Sequence, residues 1–144
     1  MIFREMDTSD IKDVCELEIK CFIDPWNEKD CINELENNPF SHGWVLFEKE
    51  KMIGYAFLWE VFETATLARI GIDPECRQRG YGSYLMERLC QRARDEECEF
   101  MTLEVRESNE KAIRLYKKYD FIQVNISKGY YPDGENAIIL TRAL

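Results

Sequence analysis

No two of the six cysteines, at positions 15, 21, 31, 76, 90 and 98, form a C-x-x-C pair, and the only histidine is His42. A thiolate zinc site therefore lacks its ligand spacing, and no metal is expected. A His-based nucleophilic triad has one imidazole to draw on, in a stretch that reads as a surface loop. No apolar run approaches the roughly 20 residues of a membrane span, and no signal peptide opens the chain. These absences predict no membrane partner and a cytoplasmic setting with reduced thiols. The phosphate-loop pattern G-x-x-x-x-G-K-S/T is missing. So are repeats, low-complexity tracts and Gly/Ser/Pro linkers, which predicts one domain over 1–144. Positive charge is scarce, with 19 Lys plus Arg against 28 Asp plus Glu and a net charge of -9. That balance argues against a general nucleic-acid binder.

What is present is globular: 45% of residues are hydrophobic and 12% aromatic. "IFREM" (2–6) alternates as a strand. In "DTSDIKDVCELEIKCF", Ile11, Val14, Leu17 and Cys21 fall at helical spacing behind a Ser or Thr cap. "DPWNEKDCINELE" reads as a turn and second helix capped by Asn27. "WVLF" and "MIGYAFLWEVF" are strands joined through "EKEK", a hairpin. "TATLARIGID" is a strand ended by Pro74, and the next helix, starting near Gly82, puts Leu85, Leu89 and Ala93 on one face. "FMTLEV" is a strand, "NEKAIRLYKKY" a helix, and "FIQVNI" and "NAIILTR" the last strands. The order is β-α-α-β-β-β-α-β-α-β-β, an α/β (α+β) fold with a mixed sheet and helices on its faces.

The acidic chain nevertheless reads "CRQRGYG" at 76–82, and segment 77–94 holds five arginines against Glu87 alone. A solvated turn is one reading. A dinucleotide fingerprint fails because its third glycine position holds Leu85. The remaining reading is a pyrophosphate cradle. Gly80 and Gly82 let phosphate oxygens approach the backbone, the helix start adds positive potential, and Arg77 and Arg79 offset the acidic surroundings. Gln78, Tyr81 and Ser83 lie in the same turn.

Arg77-x-x-Gly80-x-Gly82 is similar to the Q/R-x-x-G-x-G/A motif of the GNAT acetyltransferases, and the element order resembles their acyl-CoA N-acyltransferase fold. "LEVRESNEKAIRLYKKYDF" (103–121) resembles the L-E-V-R-x-S-N block of that family's RimI branch, the protein N-terminal acetyltransferases. "GYYPDGENAIIL" (129–140) is similar to its Y-Y-x-D-G-E-D/N-A segment, and "DPWNEKD" more weakly to its P-W-S/T junction. The resemblance implies acetyl-CoA as cosubstrate and a protein N-terminus as acceptor. In bacteria that acceptor belongs to small-subunit ribosomal protein eighteen. Asp120 stands where the branch has Gly, and Gly71 where a bulkier residue is common.

Strand alternation sets Glu104 opposite Met101, Leu103 and Val105; it reads as a solvated glutamate or, by the resemblance, as the general base. Tyr116 shares a helical stripe with Ala112 and Tyr119, which fits core packing; the resemblance makes it the acid that protonates the departing sulfur. Ser108 and Asn109 are both natural caps; the resemblance assigns Asn109 to the coenzyme and leaves Ser108 the cap. Backbone N–H groups around Ile70, Gly71 and Ile72 are placed to hold the cofactor and an oxyanion. Tyr130 and Tyr131 lid the core or, as the resemblance implies, line the acceptor groove, with Trp26 at its border. Residues 1–36 carry eleven acidic groups against four basic ones; bordering the groove they would favour a basic acceptor tail, and otherwise they form a solvated face. Rival readings are acetylation of a lysine side chain or small amine, and a non-catalytic acyl-CoA-binding module.

Overall fold

Residues 41–61 build the first tight unit of the computed structural model, which describes residues 1–144. Strands β2 (Ser41–Glu48) and β3 (Lys51–Val61) pair antiparallel around a two-residue turn, with Lys49 at positive φ. Strand β1 (Ile2–Glu5) adds to the outer side of β2, and β4 (Thr64–Ile72) to the other side of β3. Strands β5 (Phe100–Arg106), β6 (Ile122–Ser127) and β7 (Ala137–Ala143) complete one sheet in the order β1-β2-β3-β4-β5-β7-β6. Only β4 and β5 run parallel. The connection between them is helix α3 (Tyr81–Asp95), as a parallel crossover requires.

Helices α1 (Ile11–Cys21) and α2 (Glu28–Glu36) cover one face of β2, β3 and β4. Their contact residues, Ile11, Val14, Leu17 and Cys31, pack with Val45, Tyr55 and Phe57. On the opposite face α3 presents Leu85, Leu89 and Ala93, and α4 (Glu110–Lys118) presents Ala112, Ile113 and Tyr116. There they meet Leu46, Leu58, Met101, Leu103 and Leu140. The expected helical and strand faces are thus the buried ones, and no helix is long and apolar enough to cross a membrane.

Two local expectations are overturned. The first helix begins with a 3-10 turn, Thr8–Asp10, capped by Asp7 rather than by Ser or Thr. Asp7 and Asp10 form a reciprocal capping box, and Arg4 then grips Asp10 through two 2.8 Å bonds. His42 lies in β2, not in a loop, with Nδ1 3.4 Å from a Glu5 carboxylate oxygen. Asn27 does cap α2, and Asp120, standing where the RimI branch has Gly, adopts a left-handed turn (φ 69).

Candidate active site

Strands β4 and β5 pair over only three positions, Thr64–Thr66 with Phe100–Thr102. A β-bulge at Ala68, where Phe57 opposes Arg69 but Leu58 opposes Leu67, bends β4 away from β5. Beyond it the sheet is split, and backbone groups of β4 face an opening. The Asp73 N–H donates to the Ile53 carbonyl at 2.8 Å, on the β3 side. The two-residue strand period therefore turns Gly71 toward β3 as well, and Ile70 and Ile72 toward the opening. The Ile72 carbonyl indeed accepts from Arg77 Nε at 3.2 Å and lies 3.4 Å from Cys21 Sγ. Gly71 instead makes room for a neighbouring ring, since a Cβ there would stand 2.7 Å from the Tyr55 ring and hydroxyl.

Below the opening lies the 76–82 turn. Buried Asp73 caps the short Pro74–Cys76 turn by accepting from Glu75 N at 3.0 Å. Gln78 (φ 65) and Gly80 (φ 83) both take the left-handed conformation, and Gly80 starts α3 with no side-chain cap. The first N–H groups of a 15-residue helix are thus left without a capping side chain, and the space over Gly80 is open. A phosphate would take the missing cap's place, so the turn fits an acyl-coenzyme pyrophosphate. Ser83 Oγ is bonded to the Tyr119 hydroxyl at 2.8 Å, joining α3 to α4 beside Gly82.

The arginines do not gather around this turn as the sequence suggested. Arg77 folds back on β4 and Cys21. Arg79 leans toward Tyr81, whose hydroxyl bonds Glu48 of the β2–β3 hairpin, and lines a hollow of about 540 Å³ on that side. Arg88 and Arg92 lie along α3 over the Phe3 and Trp44 rings. Arg77 is thus engaged with β4, while the N–H groups at the start of α3 stand open to an anion.

Glu104 projects from β5 with its carboxylate exposed, opposite the buried side chains of Met101, Leu103 and Val105. The Tyr130 hydroxyl faces that carboxylate, which pushes the phenol up to about 12. Tyr131 stands edge-on to Tyr130, ring centroids 5.0 Å apart, and burial followed by Glu104 raises its phenol too. Tyr116, on α4, meets Phe121 edge-on at 5.9 Å, and burial with Tyr119 and Tyr131 nearby lifts it to about 12. It is therefore a core-packing ring and a protonated donor over the whole ordinary pH range. Asn109, not Ser108, caps α4, its Oδ1 accepting from Ala112 N at 3.2 Å. That geometry leaves the Asn109 amide nitrogen as the group to face a ligand. The Ser108 N–H instead donates to Glu135 at 2.8 Å.

Two loops flank the cluster. Residues 22–27 join α1 to α2 and carry Trp26, tilted against Phe57 at 5.3 Å. Residues 128–136 join β6 to β7 and carry Tyr130 and Tyr131. The first loop is fixed by a set of residues that periodicity in the sequence does not single out. Glu18, completely buried, receives the Tyr55 hydroxyl, the Trp26 N–H at 2.8 Å, and Arg69 through Nη2 at 2.9 Å. Burial pushes the Tyr55 phenol strongly up, so it stays a donor. Arg69 also donates to the Asp24 carbonyl at 2.8 Å and lies 3.7 Å above the Phe22 ring. A signal for Glu18 existed: it stands on the Ile11–Val14 helical stripe, a charge at a core position. Arg69 gave no such signal, because the Ala68 bulge moves it to the face that alternation assigns to its neighbours.

A mixed sheet parted between β4 and β5, over an uncapped helix start, is the architecture of the acyl-CoA N-acyltransferases. The chain belongs to the acetyltransferase (GNAT) family, whose sequence model matches residues 11–121. It is 32% identical, over 94% of its length and 92% of the other's, to the ribosomal protein bS18-alanine N-acetyltransferase of Escherichia coli (strain K12). A Bacillus subtilis protein whose name gives the same activity provisionally is 35% identical over 95% of this chain and 91% of its own. The crystal structure of the ribosomal-protein-S18-alanine N-acetyltransferase from Escherichia coli superposes with a TM-score of 0.89 at 30% identity. That match covers 99% of this chain and 92% of the other.

Proposed function

We propose that the protein transfers the acetyl group of acetyl-CoA to the N-terminal α-amine of a protein, a ribosomal protein of the bS18 kind, in the cytoplasm. The observation that carries the reading is Glu104, an exposed carboxylate at the mouth of the β4–β5 opening, on the side of Tyr130. Cosubstrate binding falls to the 77–83 turn, the outward backbone of Ile70 and Ile72, and the Asn109 amide. The residues 22–27 and 128–136 form the two walls of an acceptor groove, with Trp26, Tyr130 and Tyr131 as its apolar lining.

In this reading Glu104 takes a proton from the acceptor's ammonium, directly or through a water. An α-amine titrates at roughly 7.7–8.0 against about 10.4 for lysine, so its proton is the easier of the two to remove. The amine nitrogen forms the new bond to the thioester carbon, a β4 N–H from Ile70 or Ile72 receives the developing oxyanion, and the carbon–sulfur bond breaks. The nitrogen's second proton leaves to solvent as the amide forms, Tyr116 supplies the proton that the sulfur takes and recovers one from solvent, and Glu104 gives its proton up to solvent.

The test is acetyl-CoA-dependent acetylation of three acceptors: a peptide with a free N-terminal alanine, its N-blocked lysine-containing twin, and a polyamine. Acetyl transfer to the α-nitrogen, located by fragmentation, is expected. Dominant transfer to the blocked peptide or the polyamine would overturn the acceptor assignment. Binding without turnover on any of them would overturn the enzymatic one.

A further inference from the structure

Arg106 lies two residues past Glu104 on the same face of β5, about 7 Å along the strand. Its guanidinium is spent on three carboxylates drawn from both groove walls. Nη1 meets Asp133 and Glu135 at 2.9 Å each, and Nη2 reaches Asp24 at 3.2 Å. Its carbon also lies 4.2 Å over the Tyr131 ring. Asp24 belongs to the 22–27 loop, whereas Tyr131, Asp133 and Glu135 belong to the 128–136 loop. One side chain therefore touches both lips of the groove.

We propose that Arg106 is a positioning residue that fastens the two lips together and sets the Tyr131–Tyr130 pair against Glu104. The proposal rests on the acceptor groove of the functional reading above. Two contacts run from Arg106 toward the base, Arg106 on the Tyr131 face and Tyr131 edge-on to Tyr130, and Glu104 in turn raises the Tyr130 phenol. The two halves of the clamp differ in strength. On the 128–136 side, two 2.9 Å bonds, the stacking contact, and Ser108 N holding the second Glu135 oxygen act together. On the 22–27 side there is one 3.2 Å bond to an Asp24 side chain that is 75% exposed, a link that salt screens and thermal motion breaks. Arg106 accordingly holds the β6–β7 wall firmly, and its Asp24 link is the one that releases, while the 22–27 backbone stays tied by Arg69 and Glu18. Lysine cannot reproduce the device, because a single ammonium lacks the planar fork that serves three carboxylates while stacking on a ring.

Two variants, Arg106→Lys and Asp24→Asn, test this with two readouts. The first is amide hydrogen exchange of the ligand-free protein, which needs no substrate. Arg106→Lys should speed exchange in 128–136 and in 22–27, and Asp24→Asn in 22–27 only. The second is steady-state kinetics on a peptide with a free N-terminal alanine. Arg106→Lys should lower kcat/KM for the peptide roughly ten- to a hundredfold with the KM for acetyl-CoA unchanged. Asp24→Asn should raise only the peptide KM. Unchanged loop exchange would overturn the proposal, as would faster exchange with an unaltered peptide kcat/KM. An equal loss toward acetyl-CoA together with a lowered Tm would also overturn it, since that is the mark of a merely structural arginine. If Arg106→Lys does not fold, Asp24→Asn decides the cross-groove link by the same two measurements. A wild-type protein that acetylates no N-terminal peptide would instead remove the functional reading, with the exchange result still deciding the clamp.

Discussion

Replacing Arg69 by Met strands Glu18, and the cost follows from the geometry. Glu18 is wholly buried, and Arg69, itself only 18% exposed, supplies its counter-charge through contacts of 2.9–3.2 Å. Without it the carboxylate keeps only the Tyr55 hydroxyl and the Trp26 N–H. Breaking a buried pair from one side costs about 3–5 kcal/mol, a large part of the 5–15 kcal/mol that holds a typical domain. With a urea slope of about 2 kcal/mol per molar, the midpoint should fall by roughly 2 M. Removing both charges as Glu18→Met/Arg69→Met should cost less than Arg69→Met alone, because no uncompensated carboxylate remains. The assay is urea unfolding followed by tryptophan fluorescence, Trp26 lying beside the site. A loss below about 1 kcal/mol for Arg69→Met, or a double variant weaker than the single, would refute the reasoning.

Gly71→Ala should destabilise by about 1–3 kcal/mol, since its Cβ would stand 2.7 Å from the Tyr55 ring; in a Tyr55→Leu background, itself weakened by the lost bond to Glu18, the same change should cost less in urea unfolding. Gly80→Ala meets no atom but must hold φ near 83, so it should cost about 1 kcal/mol of stability and raise the KM for acetyl-CoA, measured by steady-state kinetics, more than that for the peptide. Tyr116 keeps its proton to about 12 while an unfolded phenol ionises near 10, so the unfolded chain releases the proton first. Its contribution to stability is therefore intact below pH 10 and lost between about 10 and 12, which unfolding at pH 9 and 11 reads out. By the same token Tyr116→Phe should lower kcat at every pH from about 7 to 9.5 rather than shift the profile.

Much of this was legible in the chain because local pattern and final burial agree. The alternation of Met101, Leu103 and Val105 places Glu104 on the other face, and Leu85, Leu89 and Ala93 are the buried side of α3. The β2–β3 hairpin and the Asn27 cap are likewise local chemistry. What escaped depends on distance along the chain or on a break of phase. Glu18 meets Tyr55 and Arg69 across separations of 37 and 51 residues, and Arg106 meets Glu135 across 29. No periodicity reports such pairs. The Ala68 bulge inverts the face of Arg69, so strict alternation misplaces it. At 108–109 two adjacent cap formers compete; Asn109 is the one that caps, while the Ser108 N–H goes to Glu135, 27 residues on. The arginine excess after Gly80 misled for another reason: a helix carries Arg88 and Arg92 away from its own start, one turn per roughly 5.4 Å.

The central claim is that Glu104 removes the proton of an N-terminal amine. Its most direct measurement is the pH dependence of acetyl transfer to a free N-terminal alanine peptide, wild type against Glu104→Gln, with the acetylated nitrogen located by fragmentation. The account predicts α-nitrogen transfer by the wild type. It further predicts that Glu104→Gln lowers kcat about a hundredfold, recovers activity as the pH rises and the free amine accumulates, and leaves acetyl-CoA binding unaltered. A Glu104→Gln protein that acetylates the peptide at the wild-type rate near pH 7 would contradict it.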